Sequence, residues 1–381
     1  MDAADAIHIQ FTAFRTMAEP EKADNVYREY GEKYRLFQER DCYSGGDLIA
    51  WVKFHLMELE ILREKGKTDE ALTLVNQMIA FYEEIDDAGG AFSAELHVHR
   101  STLLWVKARY PESIQDLEIA IRFYLQNEDL FNAESLKSNL GLVYWTMGEF
   151  AKAQKSLSEA IAFYQKCGAD QLMAYDIGNL GLVYFAQGNL EQAKQKTLEH
   201  IEFSDRIGFA TESYRGHANL ADILYYFGQF EQAIDEHDLV DDYFRERGSR
   251  EDYQLGKVWS ACCRAKLGEV DKAITELNTI LEWCSHHQSR VLEALTHRAL
   301  ALWLPLSERA SHLRQSLNLA RAQGRQLEEA ACLLMLAREM VDPKQQKETW
   351  SAGEQILERI GATAWLEGSS IDNPPFIPMF I

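Results

Sequence analysis

Asn139-Leu-Gly-Leu-Val-Tyr-Trp-Thr-Met-Gly148 and Asn179-Leu-Gly-Leu-Val-Tyr-Phe-Ala-Gln-Gly188 are two copies of one decapeptide 40 residues apart, followed by Ala153 and Ala193 at the same distance from the closing glycine. The frame continues as Asn219-Leu-Ala-Asp-Ile-Leu-Tyr-Tyr-Phe-Gly228 with Ala233, and as Trp259-Ser-Ala-Cys-Cys-Arg-Ala-Lys-Leu-Gly268 with Ala273. Upstream it persists with small slips, through Gly66 with Ala71 and through Lys107-Ala-Arg-Tyr-Pro-Glu-Ser113, where Ala108 takes the turn-glycine place. Weaker copies run from about Leu292 to Gly324 and from about Leu327 to Ile360, with Pro343 placed to open the last helix. A fixed period of this length marks a repeat array.

Within one unit, Leu136, Leu140, Val143 and Tyr144 fall at helical spacing. After the glycine, Ala153, Leu157, Ala160, Ile161 and Tyr164 do so again. Each unit is therefore a helical hairpin. The glycine ends the first helix in the left-handed conformation, and the small alanine lets the second helix approach closely.

This layout resembles the tetratricopeptide repeat, whose signature places Leu-Gly and Tyr in the first helix, Gly at the turn and Ala early in the second. Leu140, Gly141, Tyr144, Gly148, Ala153 and Ala160 match throughout. The next unit keeps Leu180, Gly181, Tyr184, Gly188 and Ala193 but has His200 at the last small position; beyond it Ala221 and Ala261 replace the helix glycine, and Arg264 the tyrosine. The resemblance implies an all-α, right-handed superhelical solenoid of antiparallel helix pairs. Repeats longer than the usual 34 residues are similar to those of the kinesin light chain, of Gram-positive quorum-sensing peptide receptors, and of the C-terminal sensor domains of bacterial signalling ATPases. The stretch Gln355 to Trp365 also looks like the closing helix of those sensor domains.

The expected organisation is an N-terminal helical cap over 1–46, with helices over 3–17 and 20–40 and a turn at Ser44-Gly-Gly46, then about eight helix pairs over 47–360, then an extended Pro-rich apolar tail over 361–381. Seven prolines in 381 residues and no long Ser/Gly tract leave no obvious cut, so the repeats read as one continuous body. At 46% hydrophobic and 26% charged, the chain has material for a core and too much for a disordered polymer.

The net charge of -21 repels phosphate backbones and anionic membrane surfaces, so neither nucleic acid nor a membrane is an expected direct partner. Six scattered cysteines without a C-x-x-C pair, no signal-peptide pattern and no apolar run of about 20 residues point to a cytoplasmic protein. Phosphate-loop, dinucleotide, nucleophile-elbow and zinc-protease motifs are missing, so no catalytic residue is nominated. His97 with His99 and His286 with His287 lack the i,i+4 spacing of helical metal ligands, so neither metal nor cofactor is expected. Adjacent carboxylates such as Glu83-Glu84 and Asp241-Asp242 read as solvated surface.

In a stacked array the first helices line the concave wall, and residues at one phase form a ladder across it. Asn139, Asn179 and Asn219 form such a ladder. An amide both donates and accepts, so it suits a peptide backbone of any sequence. In families with similar long repeats such asparagines hold a bound peptide's main chain; the alternative is hydrogen bonding between helices inside the wall. With first helices about 10 Å apart and an extended peptide advancing about 3.3 Å per residue, one Asn meets roughly every third residue. His99 and Trp259 stand one unit before and after, which limits the footprint to about nine residues by the same spacing.

Trp145, Phe185 and Tyr225 are expected to share that wall, either as anchors for a partner or as core. In the tail, Phe376, Ile377 and Phe380 are too apolar for water. They serve to cap the last hairpin, to dock a partner, or to plug the protein's own groove. The expected function is a scaffold or adaptor that recognises a protein or peptide segment in its concave groove. The alternative is a peptide-responsive bacterial sensor subunit controlling a signalling enzyme or transcription factor.

Overall fold

Left-handed turns punctuate a chain of antiparallel helices: φ is +77° at Gly148, +85° at Gly188, +71° at Gly228 and +98° at Gly268. Ala108, in the place of a turn glycine, adopts φ +55° despite its Cβ. The computed structural model describes residues 8, 10–13, 20–34, 45–84, 91–247 and 250–380. Cys42, Ile381 and parts of the helices expected over 3–17 and 20–40 lie outside the described residues. Among the described residues there is no strand.

The chain forms two compact units, Met1–Leu136 and Lys137–Ile381. No proline or glycine cluster marks that division. In the first unit, α1 (Pro20–Tyr34) precedes the hairpins α2 (Gly45–Glu64) with α3 (Thr68–Glu84) and α4 (Ala91–Val106) with α5 (Tyr110–Gln126). Gly45 and Gly46 open a helix where a turn was expected. The core joins Val52, Leu56, Leu59, Val75, Met78, Tyr82, Leu96 and Leu103, all buried. Asp116 is buried and takes hydrogen bonds from Arg100 Nε at 2.7 Å and Nη2 at 2.6 Å, with His97 Nδ1 at 2.7 Å. Burial pushes the Asp116 carboxyl up, but Arg100 and His97 outweigh it and hold the carboxyl below its ordinary range.

The division falls within α6 (Leu130–Thr146). The second unit goes on through α7 (Phe150–Cys167), α8 (Asp170–Gln187), α9 (Leu190–Arg206), α10 (Ala210–Tyr226), α11 (Phe230–Arg247), α12 (Arg250–Lys266) and α13 (Val270–His287). It ends with α14 (Arg290–Trp303), α15 (Leu306–Ala322), α16 (Gln326–Arg338) and α17 (Pro343–Ile360), then a short 3-10 turn at Thr363–Leu366. From α7 onward each helix packs on its successor, and the first helices α8, α10, α12 and α14 also touch in series, which makes them the inner wall. Ala153, Ala193, Ala233 and Ala273 are fully buried at the hairpin crossings. His200, where a small residue was expected, is also fully buried. Gly178 and Gly216 make its room: a Cβ on Gly178 would stand 2.7 Å from the His200 ring, and one on Gly216 3.2 Å. Pro343 opens α17 at its first turn, and the Asp342 side chain caps it by accepting from Lys344 N at 2.9 Å.

The wall of this unit turns far enough to meet itself. Gln326 Nε2 donates to Met147 O at 2.5 Å, and Trp365 Nε1 donates to Ala186 O at 2.9 Å. A Cβ on Gly148 would lie 2.8 Å from Ile360, and one on Gly188 3.0 Å from Ala364. These two glycines answer two demands at once: positive φ and the close approach of residues 360–365.

Candidate functional site

Three first helices end in a large ring three residues before the turn glycine, Trp145, Phe185 and Tyr225, and Trp259 stands at the asparagine phase of the next first helix. Phe185 and Trp259 are fully buried, Tyr225 is 6% exposed, and Trp145 is half-buried. What covers them is the tail. A reciprocal backbone turn between Ser370 and Asn373 redirects the chain, and Pro374, Pro375 and Pro378 then keep it from coiling into a helix.

The Phe376 ring stands 5.3 Å from Tyr225, 5.8 Å from Trp259 and 6.0 Å from Tyr226, stacked on the last. The Arg298 guanidinium lies 5.4 Å from the same ring, within cation–π range. Four residues on, Phe380 meets Trp145 at 5.6 Å and Phe185 at 5.5 Å, both edge to face. Ile377 and Met379, between them, are fully buried. The tail thus lies against the rings of the first helices, and Arg325 at the start of the last hairpin also meets it.

Two arginines hold the tail by its main chain. Arg298, fully buried, donates from Nη1 to Ile377 O at 2.6 Å and from Nη2 to Pro378 O at 3.1 Å. Its Nε donates to Glu328 Oε1 at 2.6 Å, and Ser316 Oγ donates to the same oxygen at 3.2 Å. Arg325 donates to Phe380 O. A guanidinium suits this task because its donors form a planar fork and it stays charged when buried. Burying four apolar side chains contributes about 1.5–3 kcal/mol each, while ordering seven residues of backbone costs about 1–2 kcal/mol each. Those terms nearly offset, so the arginine grip decides whether the segment stays.

On the three first helices that carry both, asparagine and ring lie on separate strips, and only Trp259 brings a ring to the asparagine phase. Six residues of helix advance about 9 Å and turn some 240°, so Asn139, Asn179 and Asn219 lie away from Trp145, Phe185 and Tyr225. Asn139 is exposed, whereas Asn179 and Asn219 are half-buried. Asn179 favours ionisation of Asp176, a turn earlier on α8, by hydrogen bonding, as does the Ser138 hydroxyl at 2.6 Å; burial nonetheless pushes the Asp176 carboxyl up to about 6. His99 belongs to the first unit, where burial, with Arg63 and His8 nearby, lowers its pKa to about 4.

Sequence reasoning did not nominate Arg298, Arg325 or Glu328 as groove anchors. A signal existed for the pair: Arg298 falls at the apolar phase of Leu295 and Ala294, and Glu328 at that of Cys332, all buried. Isolated opposite charges on the core phases of adjacent hairpins point to a buried ion pair. Cys262, Cys263, Cys284 and Cys332 are free and buried. Among the described residues, no group of three or more His, Cys, Asp or Glu side chains could hold a metal, and no helix is long and apolar enough to cross a membrane.

Residues 129–205 match the family model described as tetratricopeptide repeat. No curated protein matches the chain. Among solved structures, a Rap protein complexed with competence and sporulation factor superposes with a TM-score of 0.71 at 14% identity, over 95% of this chain and 98% of that one. NprR in complex with its cognate peptide NprX gives 0.62 at 13%, over 94% and 100%. Aspartyl phosphate phosphatase F from Bacillus subtilis gives 0.57 at 13%, over 100% and 98%. At these identities the likeness is one of fold: an all-helical, tetratricopeptide-type solenoid.

Proposed function

We propose that the protein binds a peptide or protein segment along its inner wall and acts by binding, without turnover, in the cytoplasm. The observation that carries this reading is the treatment of residues 374–380: rings receive two side chains four residues apart while arginines read main-chain carbonyls, which is the chemistry of peptide recognition. The partner is a peptide or another protein, engaged without nucleic acid or membrane. Asn139, Asn179 and Asn219 extend the wall beyond the rings and offer amides to a ligand's backbone. Two of the superposed solved structures carry a bound competence and sporulation factor or cognate peptide by their descriptions, which supports the same reading.

One observation favours the sensor over the rigid scaffold. Residues 326 and 360–365 close onto the turns at Met147, Gly148 and Gly188, and the Phe185 ring touches both Trp365 at this closure and Phe380 in the site. A ligand that binds the closed and open forms unequally shifts that equilibrium and so controls a partner enzyme or transcription factor.

The test is selection of nonamers from a displayed library on the full chain, beside an Asn139→Ala/Asn179→Ala/Asn219→Ala variant and a Phe185→Ala variant of matched folding. Enrichment lost in both variants supports the wall as the site. Enrichment kept by both puts binding on another face and refutes the proposal. Small-angle scattering with a selected peptide then separates sensor from scaffold: compaction or extension supports the sensor, unchanged dimensions the scaffold.

A further inference from the structure

We infer that residues 374–380 are an exchangeable internal ligand of the ring-lined site, standing in for an uncharged apolar peptide with aromatic or large aliphatic side chains four residues apart. This rests on the wall being a peptide site and adds what the site selects and what already occupies it.

The specificity follows from what the segment presents. Phe376 enters a box of Tyr225, Tyr226, Trp259 and the Arg298 guanidinium, and Phe380 an edge-to-face slot between Trp145 and Phe185. Ile377 and Met379 are fully buried between these anchors, so a charge at either position would lose its water without gaining a counter-ion. Arg298 already has Glu328 as its counter-ion, so a ligand carboxylate would compete with an existing pair; neutral carbonyl oxygens do not. The site therefore selects a neutral, apolar segment and reads its backbone from one side.

Exchange follows from the imperfection of the fit. The Trp259 indole N–H and the Tyr226 hydroxyl are buried around Phe376 without a hydrogen-bond partner. A phenyl ring has nothing to offer them. A peptide with a polar tip on the ring at that position, such as a tyrosine, satisfies one of them and outcompetes the tail. The tail has the advantage of its tether, which sets a high local concentration, so a free peptide must either exceed that concentration or bind better.

The probe is a fluorescein-labelled synthetic peptide, Asn-Pro-Pro-Phe-Ile-Pro-Met-Phe-Ile, followed by anisotropy against the full chain and against a full-length Phe376→Ala/Phe380→Ala variant. The expected result is binding to the variant at least tenfold tighter than to wild type, lost again when Phe185→Ala is added. A version of the probe with Tyr for its first Phe is expected to bind tighter still. Equal binding to wild type and variant, or none to a variant that circular dichroism shows folded, overturns the inference. Nonamer selection on the same variant separates the two readings: if selected peptides bind through Phe185 while the tail peptide does not, the peptide site stands and the internal ligand falls; if neither binds, both fall. Should the double variant not fold, the oxidation rate of Met379 in wild type answers the question, since Met379 is fully buried. Excess probe should accelerate its oxidation by peroxide; an unchanged rate refutes exchange.

Discussion

Replacing Arg298 by Met should remove three hydrogen bonds at one stroke, to Glu328, Ile377 and Pro378, and leave the Glu328 carboxylate buried without its counter-ion. Breaking a buried pair from one side costs about 3–5 kcal/mol. The two tail carbonyls add less than their full desolvation penalty, because the segment can release them to water; the larger loss therefore stays at Glu328. At about 2–4 °C per kcal/mol for a body of this size, the melting midpoint of the second unit should fall by roughly 6–20 °C. Glu328→Gln alone leaves Arg298 buried with only neutral acceptors and should also destabilise. The double variant, with neither charge, should recover at least about 2 kcal/mol relative to the sum of the singles, within the range of measured couplings. Urea unfolding supplies the four free energies, and hydrogen exchange at the Phe376, Ile377, Met379 and Phe380 amides reports the tail separately. The double variant should regain stability while its tail amides remain unprotected. A single-variant cost below about 1 kcal/mol, or additive singles, would refute the buried pair as the tail's anchor.

Gly188→Ala and Gly228→Ala share the cost of a left-handed side chain, about 1–2 kcal/mol, but only the first places a methyl 3.0 Å from Ala364. Thermal melts should show an extra loss of about 1–3 kcal/mol at Gly188; equal losses would mean that residues 360–365 do not close on that turn. Ala108→Gly relieves strain at φ +55° and should raise the midpoint slightly in the same assay, unless the freer unfolded chain cancels the gain. Asp176, with its pKa raised to about 6 by burial, binds its proton more tightly folded than unfolded, so its contribution is most favourable below about pH 4 and declines as pH rises through 6. Asp176→Asn should therefore flatten the stability profile between pH 4 and 6 and lie above wild type at pH 7.5; parallel profiles would place the carboxyl in water.

The hairpins were legible because everything that makes them is local. Helical periodicity, a turn glycine and a small residue five positions later act within one 40-residue window, and even Ala108 could be assigned from its position in that frame. Trp145, Phe185 and Tyr225 were legible as rings recurring at one phase of the first helices for the same reason. The asparagines were visible as a periodic set, but what they bind is not contained in the period. Arg298 and Glu328 could be suspected from their apolar phases, though not that the guanidinium would also grip residues 377 and 378.

What sequence alone determined is therefore the repeat: all-α hairpins, their turns and the residue types along the inner wall. Tertiary structure decided that residues 360–365 reach the turns at Gly148 and Gly188, and that Phe376 and Phe380 lie among rings up to 235 positions earlier. The reason is geometric. Each hairpin is rotated slightly on its neighbour, and whether the second unit closes on itself depends on the sum of those rotations over many repeats. No local window carries that sum, so the partner of an apolar tail can be read only once the wall has folded around it.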